Sequence, residues 1–301
     1  MHHSAFLVLP RLFKHPDKRT PQITPALKKI VVSHETWANC NITMPIPSNI
    51  ILCHAQPADL VSIARVSHLS FLDDVHSQLK TYVKGKEIFP ETEHVEHLTK
   101  LLGNPRLDVI VAKELSPSPA ASEIGDKPQF SETVVGAVIW AKYNYELPQS
   151  ETAPQPTSWG PPPVQPELPE HTPLMISDLE AVTDSSMSAW QNYFSLDKVK
   201  CRYIVGLTVH PTSQGRGIGS MLMKWGTDKC DADGVYCWVQ SSMNAKRAYE
   251  KAGFREVGIL ELDLDQFSQG MNRPRELNGG TEGQWGVYVW PYMRRDPLSQ
   301  S

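Results

Sequence analysis

No run of eighteen apolar residues occurs in this chain, so the sequence predicts no membrane-spanning helix. Cysteine is scarce: five residues, Cys40, Cys53, Cys201, Cys230 and Cys237, odd in number and with no C-x-x-C pair. They read as reduced thiols of a cytoplasmic-type compartment. An excess of positive charge is also missing. Lys and Arg total 29 against 33 Asp and Glu, a formal net charge of -4, and the pI is about 6.3. That balance excludes a general nucleic-acid binder, which carries a basic surface.

The N-terminus is the exception. Residues 1–34 hold six basic side chains (Arg11, Lys14, Lys18, Arg19, Lys28, Lys29) against Asp17 alone. The apolar run Ala5–Leu9 is too short for a secretory signal and stops at Pro10. Serine is scarce for an organelle transit peptide, so residues 1–47 are expected to form a disordered basic extension. The sequon at Asn41 is expected to be idle.

What is present is a 40% hydrophobic, 21% charged chain of 301 residues, enough for one large domain or two small ones. From Asn49 it becomes regular. Residues 50–54 read as a strand and a helix follows from about Pro57. "EHVEHLTKLLGN" reads as a helix ending at Gly103, and 107–115 and 132–143 as β-branched strands. His94 and His97 lie i,i+3 on the second helix. With no third ligand evident they are expected on a solvated face rather than on a metal.

Residues 147–173 carry nine prolines, which preclude helix or central strand. A mobile surface excursion, extended or disordered, is expected, one that a Gly/Ser linker could replace at little cost in stability. Helical signal returns at "SDLEAVTDSSMSAWQNYF", with Ser177 as N-cap and Glu180 three residues on. Then come a strand at 201–209, a helix with Ile218, Met221, Leu222 and Trp225 on one face, a strand in "GVYCWVQS", a short helix in "NAKRAYEKAGF" and two last strands. Alternating strands and helices put the fold in the α/β or α+β class.

The glycines of "HPTSQGRGIGSMLMKWG" (210–226) need a reason, because glycine weakens a helix by roughly 0.5–1 kcal/mol relative to alanine. Anion binding supplies one. The first N–H groups of a helix are unpaired, the dipole is positive there, and glycines admit a phosphate closely. A Walker A loop fails, since no Lys-Ser or Lys-Thr follows the glycines. A dinucleotide fingerprint fails too, since its last glycine would fall on Ser220.

Gln214-Gly215-Arg216-Gly217-Ile218-Gly219 instead has the form Q/R-x-x-G-x-G/A. It lies between Leu207-x-Val209-x-Pro211 and a helix, with "SSMNAKRAYEKAGF" some twenty residues later. This resembles the GNAT superfamily of N-acetyltransferases, and within it most closely small GNAT-domain proteins of fungi. The resemblance covers roughly 48–294 and is specific between Tyr203 and Phe254. It implies a mixed, mostly antiparallel sheet flanked by helices, with the fourth and fifth strands splayed. The domain would span 48–296, with 147–173 as an insertion and 297–301 as a tail.

It also implies a ligand, acetyl-CoA, and no metal. The backbone amides of Gly215, Arg216, Gly217, Ile218, Gly219 and Ser220 would hold its pyrophosphate, with Gln214 positioning the loop and Arg216 adding charge. The backbones of Leu207 and Val209 would pair with the acyl-pantetheine arm, the Leu207 N–H facing the thioester carbonyl. Tyr249 matches the family's general acid beside the sulfur. Ser242 stands where many relatives have a CoA-contacting Asn, and Asn244 is two residues away. Where some relatives carry a basic Glu this chain has Tyr203. Asp73, Asp74, His76, Glu180 or a water remain as candidate bases. The acceptor would be lined by 71–93 with Trp140, Tyr143 and Trp190. The implied activity is acetyl transfer to the primary amine of a small molecule. A protein acetyltransferase and a non-catalytic acyl-CoA-binding module are the alternatives. Neither nucleic acid nor membrane is an expected partner.

Overall fold

The computed structural model describes residues 49–87, 90–117 and 130–298. The basic extension, the sequon and the last residues of the tail lie outside the described residues. Seven strands form one sheet in the order β1-β2-β3-β4-β5-β7-β6. The strands are β1 (Ile50–His54), β2 (Leu107–Pro117), β3 (Phe130–Tyr143), β4 (Cys201–Val209), β5 (Cys237–Gln240), β6 (Arg255–Asp263) and β7 (Val287–Arg295). Every neighbouring pair is antiparallel except β4 and β5, which are parallel. The mixed, mostly antiparallel sheet expected from the sequence is therefore present.

Helices cover both faces. On one lie α1 (Leu60–Phe71), α2 (Val75–Lys84), α3 (Glu91–Leu102) and α4 (Ile176–Phe194), packed through Ile63, Leu79, Leu98, Leu101, Leu179 and Phe194. On the other lie α5 (Ile218–Asp233) and α6 (Met243–Lys251), packed through Ile218, Leu222, Tyr249 and Phe254. α5 lies close on β3 because Gly226 faces Trp140: a Cβ there would meet the indole at 2.0–2.5 Å. No helix among the described residues is long and apolar enough to cross a membrane.

Two local expectations change. The N-cap of α4 is Met175, whose N–H donates to Asp178 Oδ2 at 2.7 Å. Ser177 lies inside the helix. Both Ser177 and Asp178 are cap-forming types, and the carboxylate reaching back from the third helical position decides the boundary. Glu180, freed of a capping role, bonds Lys80 and Lys84 of α2 at 2.9 and 2.6 Å.

The proline-rich segment is docked. Ala153 N–H donates to Lys198 O (2.9 Å). The Gln155 side chain donates to Lys200 O (3.0 Å) and accepts from Tyr236 N–H (3.1 Å). Gln155 thus ties the residues that lead into β4 and β5. Trp159 lies edge-on to Tyr236 at 5.0 Å, beside Tyr193 and Phe194, with the Arg294 guanidinium 4.3 Å from its ring. Proline excludes regular structure but not packing, and one tryptophan with one glutamine gives this segment its anchors.

Trp159→Ala should therefore lower stability by about 2–3 kcal/mol, the reduced value for a half-buried aromatic. Replacing 149–170 by a Gly/Ser linker should lower Tm by several degrees rather than leave it unchanged. Thermal unfolding of both variants checks this, and wild-type Tm values would return the segment to a free excursion.

Candidate active site

The sheet opens between β4 and β5. Only three residue pairs join them, Arg202–Cys237, Tyr203–Trp238 and Ile204–Val239. Beyond Ile204, β4 carries a bulge. Ile139 faces Gly206 and Trp140 faces Ile204, so Val205 has no partner on β3. An extra residue bends its strand and reverses which amides face which neighbour. His210 N–H donates across to Val135 O at 2.9 Å. By the two-residue alternation, the amides of Gly206 and Thr208 also face β3, and those of Leu207 and Val209 face the opened edge. Val209 O on that edge accepts Ser70 Oγ (3.0 Å) and Gln214 Nε2 (3.2 Å). Gln214 thus holds the following loop to the end of β4.

That loop ends at Gly217, the N-cap of α5, with φ 81°. A left-handed φ is strained for any residue with a Cβ, so glycine is required here. A Cβ at Gly215 or Gly217 would meet nothing within 4 Å, so space lies in front of the loop. The first intrahelical bond runs from Met221 N to Gly217 O (3.0 Å). The amides of Ile218, Gly219 and Ser220 are then the unpaired donors of the first turn. Arg216 is engaged elsewhere. Its guanidinium grips Glu114 of β2 at 2.5 and 3.2 Å and holds that carboxyl below its ordinary range.

Tyr249 is buried on the α5 side, edge-on to Phe254 at 5.4 Å. Burial pushes its pKa well above the ordinary value, so it stays protonated at neutral pH. Ser242 caps α6, its Oγ accepting from Ala245 N–H at 3.3 Å. Asn244 is exposed one residue into that helix. Tyr203 is buried and stacked on Trp238 at 4.0 Å, and burial raises its pKa too.

The candidate bases separate. Glu180 is held by two lysines. Asp74 caps α2 through Ser77 N–H (2.8 Å) and accepts Tyr288 Oη (2.5 Å). Asp73 is exposed. His76 is buried against Trp290 (5.1 Å) and Tyr288 (5.8 Å), with Nε2 unpaired among the described residues. Two expected acceptor-lining aromatics are core instead. Trp140 is fully buried beneath α5, and Trp190 stacks on Tyr292 at 4.5 Å against Gly258. Tyr143 is half-buried against the α1–α4 core.

His94 and His97 turn inward as well. Both are half-buried, and His97 Nε2 is shielded with no partner among the described residues. Burial, then the neighbouring His97, lowers the His94 pKa to about 4. No group of three potential metal ligands occurs among the described residues. His94 and Leu98 of α3 join Ile63 and Ser67 of α1 around a cavity of about 20 Å³ on the bulged stretch of β4. Ser67 and Thr208 face each other there at 3.3 Å.

Burial, then Lys80, lowers the His76 pKa from 6.5 to about 4. The unfolded chain binds a proton near pH 6.5 that the folded chain refuses until about pH 4. Stability should therefore fall as pH drops through that window, by roughly 3 kcal/mol from His76. Glu180, raised by burial but pulled below its ordinary value overall by Lys84 and Lys80, loses its contribution only below about pH 4.5. His76→Phe keeps a ring and removes the titration, so urea unfolding between about pH 7 and pH 4.5 should show a flatter slope. An unchanged slope would show that His76 does not titrate in this way.

Residues 145–254 match the family model described as Acetyltransferase (GNAT) family. No curated protein matches the chain. Among solved structures, the chain resembles a histone acetyltransferase HPA2-related acetyltransferase from Corynebacterium glutamicum at 13% identity and TM-score 0.41, covering 84% of this chain and 99% of that one. An N-acetyltransferase from Staphylococcus aureus resembles it at 11% identity and TM-score 0.42, over 83% and 99% of the two chains. A GNAT phosphinothricin acetyltransferase from Sinorhizobium meliloti, in complex with AcCoA, does so at 15% identity and TM-score 0.41, over 83% and 89%. The matched stretch 145–254 contains β4, the glycine loop, α5 and Tyr249, and over that stretch the chain is similar to the GNAT acetyltransferase family.

Proposed function

We propose that this protein is an acetyltransferase that moves the acetyl group of acetyl-CoA onto the primary amine of a small molecule. The observation that carries the acetyl-CoA part of the reading is the opened edge of β4 beside the unpaired amides of α5. The first offers Leu207 and Val209 backbone groups to an extended amide-bearing arm, as a neighbouring strand would. The second offers Gly217, Ile218, Gly219 and Ser220 amides to a pyrophosphate, at the positive end of a helix dipole. The space before Gly215 and Gly217 admits the phosphates, so the residues fit this co-substrate. Arg216, gripped by Glu114, fixes the loop rather than supplying a free charge.

Acetyl-CoA supplies the activated thioester. The chain's residues orient it and handle protons. The Leu207 N–H faces the edge where a thioester carbonyl can accept it, and Tyr249 holds a proton for the departing sulfur. Burial of Tyr249 keeps the proton on but makes it a weaker acid, which places its contribution at the low end of the usual range. A cytoplasmic location goes with this reading and with the four free cysteines among the described residues, Cys53, Cys201, Cys230 and Cys237.

A screen of small amines, peptide N-termini and lysine peptides with acetyl-CoA, following thiol release, tests the acceptor class. Small primary amines should be acetylated, and turnover confined to peptides would overturn that part of the proposal. Gly219→Glu tests the loop most cleanly, because Gly219 has ordinary backbone geometry and a Cβ there would make only 3.7 Å contacts. Acetyl-CoA affinity should fall about tenfold or more, over 1.4 kcal/mol, and unchanged affinity by calorimetry would refute phosphate binding here. Tyr249→Phe should lower the single-turnover transfer rate by ~10², about 3 kcal/mol of barrier, with acetyl-CoA affinity unchanged. A folded Tyr249→Phe protein with wild-type transfer would make Tyr249 a packing residue.

A further inference from the structure

Acetyl transfer to an amine leaves one proton without a destination. The four side chains named from the sequence as candidate bases do not supply one on β4: Asp74 and Glu180 are paired, Asp73 is exposed, and His76 lies over β7 with β5 between it and β4.

The cavity beneath α1 and α3 has what they lack. It sits on Val205, Gly206 and Thr208, the stretch of β4 where the bulge turns the Leu207 amide to the open edge. Its walls are apolar (Ile63, Leu98, Ala137, Ile139, Val205) except for Ser67, Thr208 and His94. Its volume of about 20 Å³ is room for one water, and a buried water needs two to four polar partners. Two hydroxyls and an imidazole provide that set. No carboxylate among the described residues shifts the His94 titration. The ionisable groups around it are His97 on its own helix and His68 on α1, the latter bonded to Glu87 at 2.9 Å. The β3 and β4 residues of the cavity carry no titratable group.

We propose that His94 accepts, through one water held by Ser67 and Thr208 in this cavity, the proton that the acceptor amine gives up during acetyl transfer. The balance is complete. The amine nitrogen bonds the acetyl carbon, the carbon–sulfur bond breaks, and the sulfur takes a proton from Tyr249. The proton leaving the amine passes by the water to His94, and exchange with solvent resets both groups. Acid and base then lie on opposite faces of the sheet, with the open edge of β4 between them. Burial keeps the imidazole uncharged at neutral pH, so it is ready to accept without first losing a proton.

This role rests on the transferase reading above, and the test separates the two. With full-length protein and an amine accepted in the screen, His94→Ala should lose about 10²-fold in kcat, the low end of a general base's share because burial weakens the imidazole as a base, with acetyl-CoA affinity unchanged. Added imidazole should restore part of the rate to His94→Ala and none to wild type, rising with the free-base fraction of the imidazole. His94→Gln, closer in size, should show the same loss where the alanine variant is poorly folded. His76→Phe should keep its transfer rate. Undiminished kcat in both His94 variants, a loss that imidazole does not rescue, or a loss in His76→Phe alone would overturn the proposal. An inactive wild type would overturn the transferase reading and this role with it.

Discussion

A sheet strand must place its backbone N–H and C=O groups somewhere, and β4 leaves those of its second half without a strand partner on one side. The rest of the molecule is arranged around that constraint. At one end β4 and β5 are clamped by three residue pairs, and Gln155 ties the residues just before each strand. At the other end the bulge at Val205 redirects the amides. Ser70 and Gln214 engage the last carbonyl from two directions, so the end of β4 is held in place without a fifth strand to cover it. The proline-rich segment therefore bears on the site from the opposite end of the parallel pair: it secures the closed end of an opening it does not line.

The sheet also divides the chemistry. α5 and α6 bring the glycine loop and Tyr249 to one face. α1 and α3 bring Ser67, Ser70 and His94 to the other, and α2 adds His76 beside β7. Close approach of α5 depends on Gly226, because any side chain there would collide with Trp140. The indole of Trp140 is thus fixed in the core by a residue far away in sequence.

That dependence explains what could and could not be read from the sequence. The glycine loop and its flanking strand and helix were legible because their requirements are local: a left-handed Gly217, unpaired amides in the first turn, a strand ending at Val209. The order of elements followed from periodicity. The faces chosen by Trp140 and Trp190 were not legible, since each is set by a distant glycine, Gly226 and Gly258. The cap of α4 slipped because Ser177 and Asp178 are adjacent and both suit the role. Trp159 was hidden by its proline neighbours. His94 was visible as one of an i,i+3 pair, but α3 has charged residues all around, and only the sheet beneath it shows that the pair turns inward. The Glu114 partner of Arg216 is 102 residues away and left no signal in the sequence.

Burial acts in one direction on four tyrosine and histidine side chains packed on the sheet. It raises Tyr203 and Tyr249 and lowers His76 and His94, so all four are uncharged at neutral pH. The nearby carboxylates of Asp74 and Glu180 are occupied by Tyr288, Ser77 and two lysines. Such surroundings give little stabilisation to an ammonium ion, because a cation entering them loses hydration without gaining a free counter-charge. A neutral amine loses far less. Since only a neutral amine has a lone pair to give to a thioester, such surroundings would favour the reactive form of the proposed acceptor over its resting form. The same desolvation keeps Tyr249 protonated and His94 unprotonated, so in the proposed reaction the acid, the base and the acceptor amine would all enter uncharged.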